Sequence, residues 1–282
     1  MTLLSFVKGR SEYQTKGCNN SMKVEILNPE VLADLYKNHG IFACNCYNTP
    51  EKYAENVGKK CESNGHMSGS RCEYIKFRIS DVDRGTAEQC LRHEIGTSIP
   101  FDMQDNYNIS DYADVVVDVS PDQIVKNMAS FRYIEKDGFK WATPNTIAMN
   151  DRAKELYDEL MMTINTVRKM IKDELEASGV PAKKATEDAN FVLPRATTTS
   201  FVIGFTPEAL IHFCHKRLCL RAQEFIRQIA TLMRIEVNKY SHEFALELVP
   251  HCAHLLWCPE GSNSCGLCQT KEQLCEKLRT IV

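Results

Sequence analysis

Residues 150–178 carry Ala153, Leu156, Leu160, Ile164, Val167 and Ile171 at three- and four-residue steps. That is the period of one helical face, and it predicts the longest helix of the chain. Asn150 or Asp151 can cap its start, and Gly179 and Pro181 end it. Residues 73–79 have the other period: Ile75, Phe77 and Ile79 alternate with Lys76 and Arg78, as in a half-buried strand. Residues 22–27 read as a further strand, and 191–203 hold a β-prone stretch that includes Thr197, Thr198 and Thr199. Helix starts are written as cap, proline and acid in order. Asn28-Pro29-Glu30 is one, and Thr206-Pro207-Glu208 opens a helix predicted to run past Arg227. Helices are also expected from Pro50 to about Glu62 and from Asp83 to His93.

Composition removes several classes. Apolar residues make up 43% and charged residues 25% of 282, ordinary globular values that exclude a disordered or coiled-coil chain. A net charge of -3 gives no basic field for nucleic acid. No apolar run approaches the roughly 18–20 residues of a membrane span, and residues 1–13 lack the pattern of a secretory signal. Thirteen cysteines are an odd count, and Cys90, Cys214 and Cys219 sit inside helix-like apolar patterns. Reduced thiols in a cytoplasmic compartment are the expectation. Residues 1–21 read as a polar arm, 22–249 as the main domain and 250–282 as a Cys- and His-rich tail. Residues 99–124 bring Asp102, Asp105, Asp111, Asp114, Asp118 and Asp122 without a Lys or Arg. They read as an acidic surface insertion, since the Gly and closing Glu of an EF-hand are missing.

Two groups can carry chemistry. In the helix after Thr206, His212, Arg217 and Arg221 fall within two turns and can converge on one anion or on a pyrimidine carbonyl edge. The bland alternative is a solvated face with a Glu–Arg pair. Gln89-x-x-Arg92-His93 closes a predicted helix, and Ser130 and Arg132 share one face of an extended segment, where they can hold a phosphate. In the tail, Cys258, Cys265 and Cys268 with His251, Cys252 and His254 are candidate zinc ligands. One CxxC without a partner pair leaves free thiols as the expectation and no metal assigned.

Taken in order over roughly residues 22–232, these landmarks resemble the flavin-dependent thymidylate synthases. Gly65-His66-x-Ser68 matches the family's first motif. Gln89-x-x-Arg92-His93 matches the start of its RHRxxS signature, with Ser130 to Tyr133 as the continuation beyond the insertion. Val192-Leu193-Pro194, Leu210, Phe213, Arg217, Ala222-Gln223 and Ile226-Arg227 match its second block. The departures all alter charge or donors. Glu94 stands for the third arginine of the signature, and Arg71-Cys72 for a Glu-His pair. Asn190 stands for the arginine just before Leu-Pro, and Thr206-Pro207-Glu208 for Asn-x-Arg.

The resemblance implies an α/β fold with a mixed sheet and long helices, and a homotetramer with active sites shared between subunits. It implies conversion of dUMP to dTMP with FAD, NADPH and methylenetetrahydrofolate, without attack by a protein cysteine. Carried over, Arg217 holds the pyrimidine, and Gln89, Arg92, Ser130 and Arg132 hold the nucleotide. Arg92, His93, Glu94, Thr206, Glu208, His212 and Arg221 line the flavin site. Arg71 and Glu94 read as a charge swap expected to pair. The altered positions also leave open a flavin-dependent methylase or hydroxymethylase for UMP or dCMP, or a non-catalytic nucleotide-binding relative.

Overall fold

The computed structural model describes residues 22–66, 68–92, 124–129, 139–271 and 273. The described residues form two compact units, and strands run through both. The first holds residues 22–24, 78–90, 127–129 and 139–202; the second holds 25–77, 91–92, 124–126 and 203 onward. Four strands, β1 (Lys23–Ile26), β2 (Ile75–Asp83), β3 (Ile124–Met128) and β4 (Thr198–Phe205), pair in the order β1-β2-β4-β3. The central position of β2 and β4 matches their side chains. Ile75, Phe77 and Ile79 are fully buried, and β4 buries residues on both faces, with Phe201, Ile203 and Phe205 in the core.

In the first unit, α4 (Arg84–Leu91) follows β2 directly, and α5 (Asn145–Ala148), α6 (Asp151–Ala177) and α7 (Ala182–Ala189) lie between β3 and β4 in the chain. In the second, α1 (Glu30–Ala33), α2 (Leu35–Tyr47) and α3 (Ala54–Ser63) follow β1, and α8 (Pro207–Arg217), α9 (Glu224–Asn238), α10 (His242–Glu247) and α11 (His251–Leu255) follow β4.

The long helix forms as its period dictates. Asn150 is its cap, accepting from the Ala153 amide at 2.9 Å. Tyr157 donates to the Ala142 carbonyl at 2.9 Å, and Trp141 Nε1 to Asp158 at 3.0 Å, so one side of α6 is fixed to the 139–142 segment. Asn28 differs from expectation. It caps no helix, because both ends of its amide are used elsewhere. Nδ2 donates to the Tyr74 carbonyl at 2.7 Å and Oδ1 accepts from the Lys76 amide at 2.8 Å, which locks the end of β1 to β2.

The helix expected from Thr206 past Arg227 is two helices. α8 stops at Arg217, and α9 begins at Glu224 under a new cap, Gln223, which accepts from the Ile226 amide at 3.0 Å. Arg227 explains the break. Its Nη1 donates to the carbonyls of Leu220 and Ala222 at 2.8 and 3.0 Å, satisfying groups that a continuous helix would have used. α9 then buries Phe225, Ile226, Ile229, Ala230, Met233 and Val237 along one stripe.

Helices α2 and α3 cross at two glycines. A Cβ on Gly40 would lie 1.7 Å from the Ala54 carbonyl oxygen, and one on Gly58 would lie 1.8 Å from that of Tyr36. Backbone meets backbone there, so no rotamer change makes room. Glycine-to-alanine exchange normally favours a helix by about 1 kcal/mol. Here the sign reverses: Gly40→Ala and Gly58→Ala should each lower stability by more than about 2 kcal/mol, the cost of overpacking a rigid contact. Urea titration of each variant measures it.

Candidate active site

In the second unit the site is built on α8. Its start follows the written signal: Thr206 Oγ1 accepts from the Ala209 amide at 3.3 Å, and Pro207 occupies the first turn. Ala209, Leu210, Phe213 and Cys214 are fully buried, and Phe213 packs on Phe205 at 5.1 Å between ring centres. Burial pushes the Cys214 thiol up to about 12, so it is no nucleophile at neutral pH. The other face presents His212 and His215, and Arg217 stands one turn beyond Phe213; all three are half-buried. The Nε of Arg217 is buried without a hydrogen-bond partner among the described residues. Burial holds His212 below the ordinary histidine value, with Lys216 and Arg217 adding to the effect against an opposing Glu208. Arg221 does not share this face. It is exposed in the turn after α8, so the expected convergence of His212, Arg217 and Arg221 on one helix does not form.

Arg71 lies in the short 3-10 turn Ser68–Cys72. Its Nε donates to Glu208 at 2.7 Å and its Nη2 to the same carboxylate at 3.4 Å. The expected partner, Glu94, lies outside the described residues, as does His93. Two of the departures therefore meet: the family's acid at 71 is an arginine, and its arginine at 208 is an acid. The two altered positions form one ion pair in this chain. Thr206 and Glu208, both expected at the flavin, are engaged in capping α8 and in pairing Arg71.

The loop before Arg71 is held from α2. Buried His39 bonds the His66 carbonyl through Nε2 at 2.9 Å, so that nitrogen carries the proton. Its ring also occupies the space that a side chain on Gly69 would need, 2.5 Å from the Cβ position. Sequence reasoning missed His39, since a histidine inside a helix gives no signal of a contact 27 residues away.

α4 carries Gln89, half-buried, in the first unit, and Arg92, exposed just beyond that helix, belongs to the second. Asp83 caps α4, accepting from the Thr86 amide at 2.8 Å. Gly85 admits no side chain without crowding, as its Cβ position lies 3.1 Å from the Arg195 guanidinium. Ser130 and Arg132 lie outside the described residues. Asn190 accepts from Arg168 of α6 at 2.8 Å, and both are buried.

The tail reaches α8. The His251 ring stacks on His215 at 5.2 Å, and His254 tilts onto it at 4.8 Å. Burial, then the neighbouring histidines, holds His215 down to about 4. These three imidazoles meet without forming a metal site, and no group of three His, Cys, Asp or Glu among the described residues can hold an ion. The described cysteines are free thiols. No described helix is long and apolar enough to cross a membrane.

Residues 35–241 match the family described as thymidylate synthase complementing protein. Among curated relatives, the flavin-dependent thymidylate synthase of Nitratidesulfovibrio vulgaris is 30% identical over 217 residues, 77% of each chain. That of Clostridium tetani is 31% identical over 212 residues, 72% of this chain and 74% of its own. That of Geobacter sulfurreducens is 28% identical over 207 residues, 73% of this chain and 74% of its own.

The reversed pair can be tested by restoring the family's order. Arg71→Glu alone sets two carboxylates together and should lower the melting temperature, as should Glu208→Arg. The double exchange should recover most of the loss, with a coupling of about 1 kcal/mol for a part-exposed pair. Additive losses would show that the contact carries no energy.

Proposed function

The chain belongs to the thymidylate synthase complementing protein family, and from that membership we propose that it is a flavin-dependent thymidylate synthase. It methylates dUMP to dTMP with FAD as cofactor, taking the carbon from methylenetetrahydrofolate and reducing equivalents from NADPH. The observation that carries the reading to this chain's own residues is the buried, unpartnered Nε of Arg217. A guanidinium stays charged in a protein, and a buried donor without an acceptor is costly. A pyrimidine edge supplies that acceptor.

Arg217 holds the carbonyl edge of the base and favours its N3-ionised form, because a cation lowers the pKa of an adjacent N–H acid. Arginine has no lone pair to take the proton, so its role is electrostatic. Gln89 orients the nucleotide, with Ser130, Arg132 and Arg92 on its phosphate. The bound flavin supplies the redox chemistry. For it the chain offers Arg92 and Arg221, both exposed cations, together with His93 and His212. His212 is held in its neutral form, so it can accept as well as donate. The Glu208 charge is taken up by Arg71, which keeps a carboxylate in the first turn of α8 from repelling an anionic cofactor. The catalytic domain spans 22–249, and 250–282 is an appended tail.

A second copy of the chain completes the assembly, a homotetramer in this reading. Leu156, Leu160, Val167 and Met170 stand on one face of α6, each 44–64% exposed. An apolar ridge of that length on a helix is the kind of surface that self-association covers. Leu160→Glu with Val167→Glu should convert the assembly to smaller species by light scattering, with helix content kept.

The reaction is tested by incubating FAD-loaded protein with methylenetetrahydrofolate, NADPH and dUMP, UMP or dCMP in turn. dTMP from dUMP alone is expected. Product from UMP or dCMP instead would move the substrate. Arg217→Ala should weaken dUMP binding by about 1.5–3 kcal/mol, the range for a hydrogen bond to a charged group, with little change in melting temperature. Equal affinity would remove Arg217 from the site.

A further inference from the structure

Two consecutive residues of α2 hold the two ends of one turn. Asn38 Nδ2 donates to Glu73 Oε1 at 2.7 Å, just after the Ser68–Cys72 turn, and His39 Nε2 donates to the His66 carbonyl at 2.9 Å, just before it. His39 is 3% exposed, and its Nδ1 is buried without a hydrogen-bond partner among the described residues. An imidazolium would leave a second N–H unsatisfied there, so the ring stays neutral with its one proton on Nε2, aimed at the loop. Burial acts in the same direction and holds His39 below the ordinary histidine value, against the opposing effect of the carbonyl bond. The ring also leaves no slack beneath the turn, since its Cδ2 lies 2.5 Å from where a Cβ on Gly69 would stand. The turn packs on α2 on one side and on α8 on the other. On the α8 side its Arg71 meets Glu208 with two hydrogen bonds.

We propose that His39 is a positioning residue for the flavin site: it holds the backbone before Arg71 at the place from which Arg71 reaches Glu208. This rests on the flavin reading above, in which the first turn of α8 faces an anionic cofactor. The path from one contact to the other is short. Arg71 stands five residues after the held carbonyl, and the segment from Ser68 is wound into a 3-10 turn. A wound turn passes a shift at its start on to its end. With the bond to His39 lost, the turn can move off α2, the Arg71 bonds lengthen, and the Glu208 charge faces the ligand uncompensated. That charge is felt along α8, since Glu208 already acts on His212 one turn further on. His39, His66, Arg71, Glu208 and His212 all belong to the second unit.

The test titrates FAD into the flavin-free full chain and follows flavin fluorescence, for wild type, His39→Leu, Glu208→Gln and the double variant. Wild type that takes up no FAD removes the flavin reading and the proposal with it; where wild type binds, the outcomes concern His39 alone. His39→Leu removes the donor and should weaken FAD about threefold to fivefold, the upper range for one part-exposed charge pair. In the Glu208→Gln background no carboxylate is left to neutralise, so the same exchange should leave FAD affinity unchanged. His39→Gln, whose amide can donate at similar reach, should bind FAD like wild type. Equal loss in both backgrounds overturns the proposal, because it marks packing that does not act through Glu208. So does a folded His39→Leu that binds FAD like wild type, or a His39→Gln that loses as much as His39→Leu. If His39→Leu does not fold, His39→Ala takes its place in the same cycle. If neither folds, His39 belongs to the core alone and the proposal falls.

Discussion

Each group of candidate residues depends on how a central strand hands over to a helix. β2 ends at Asp83 and α4 begins at the next residue; β4 ends at Phe205 and α8 begins after Thr206 alone. With so little chain in between, one side chain sets each helix's direction. Asp83 accepts from the Thr86 amide at 2.8 Å, and Thr206 accepts from the Ala209 amide. Each bond closes an otherwise open first turn, worth about 1 kcal/mol as a cap. Its geometric effect is larger, because it carries Gln89 and Arg217 to fixed places at the far ends of short helices. One residue inserted in the first turn of either helix would rotate every residue beyond it by about 100°.

Charge is the second constraint, and it is balanced by contact rather than by position. A site for anionic ligands cannot take a carboxylate at 208 unless a cation accompanies it. Arg71 does so with two hydrogen bonds. Read one residue at a time, Arg71 and Glu208 each count as a lost family feature. Read together they are one ion pair.

What the sequence disclosed divides along the same line. The long helix 150–178 was legible to within a residue at each end, because cap, period and terminating glycine all agree. The strand with Ile75, Phe77 and Ile79 was legible from alternation, and its continuation to Asp83 was not, since Ser80 to Asp83 lose that pattern. The break after Arg217 was hidden: Leu218, Leu220 and Ala222 continue a helix-like composition, and the cause is a hydrogen bond from Arg227 back to two carbonyls. The order of motifs revealed the family. His39, Arg168 and His215 make contacts across 22 to 39 residues of chain, and no local spacing encodes such contacts.

Burial finally decides which charges of α8 survive to act on a ligand. The helix carries two histidines, a lysine, an arginine, a glutamate and a cysteine, a mixture whose net field cannot be read from composition. Desolvation keeps Cys214 a thiol and lowers His212 and His215, and the tail adds to this by laying His251 and His254 against His215. Histidines held below their ordinary value contribute little positive field at neutral pH. Arg71 offsets the glutamate. Of the two cations left at the end of the helix, Lys216 is exposed and hydrated, while Arg217 is half-buried with its Nε shut off from solvent. A charge acts most strongly where water screens it least. The tail therefore adds to the covering of His215 by stacking on it, and Arg217 remains the cation of α8 whose Nε is shielded from solvent.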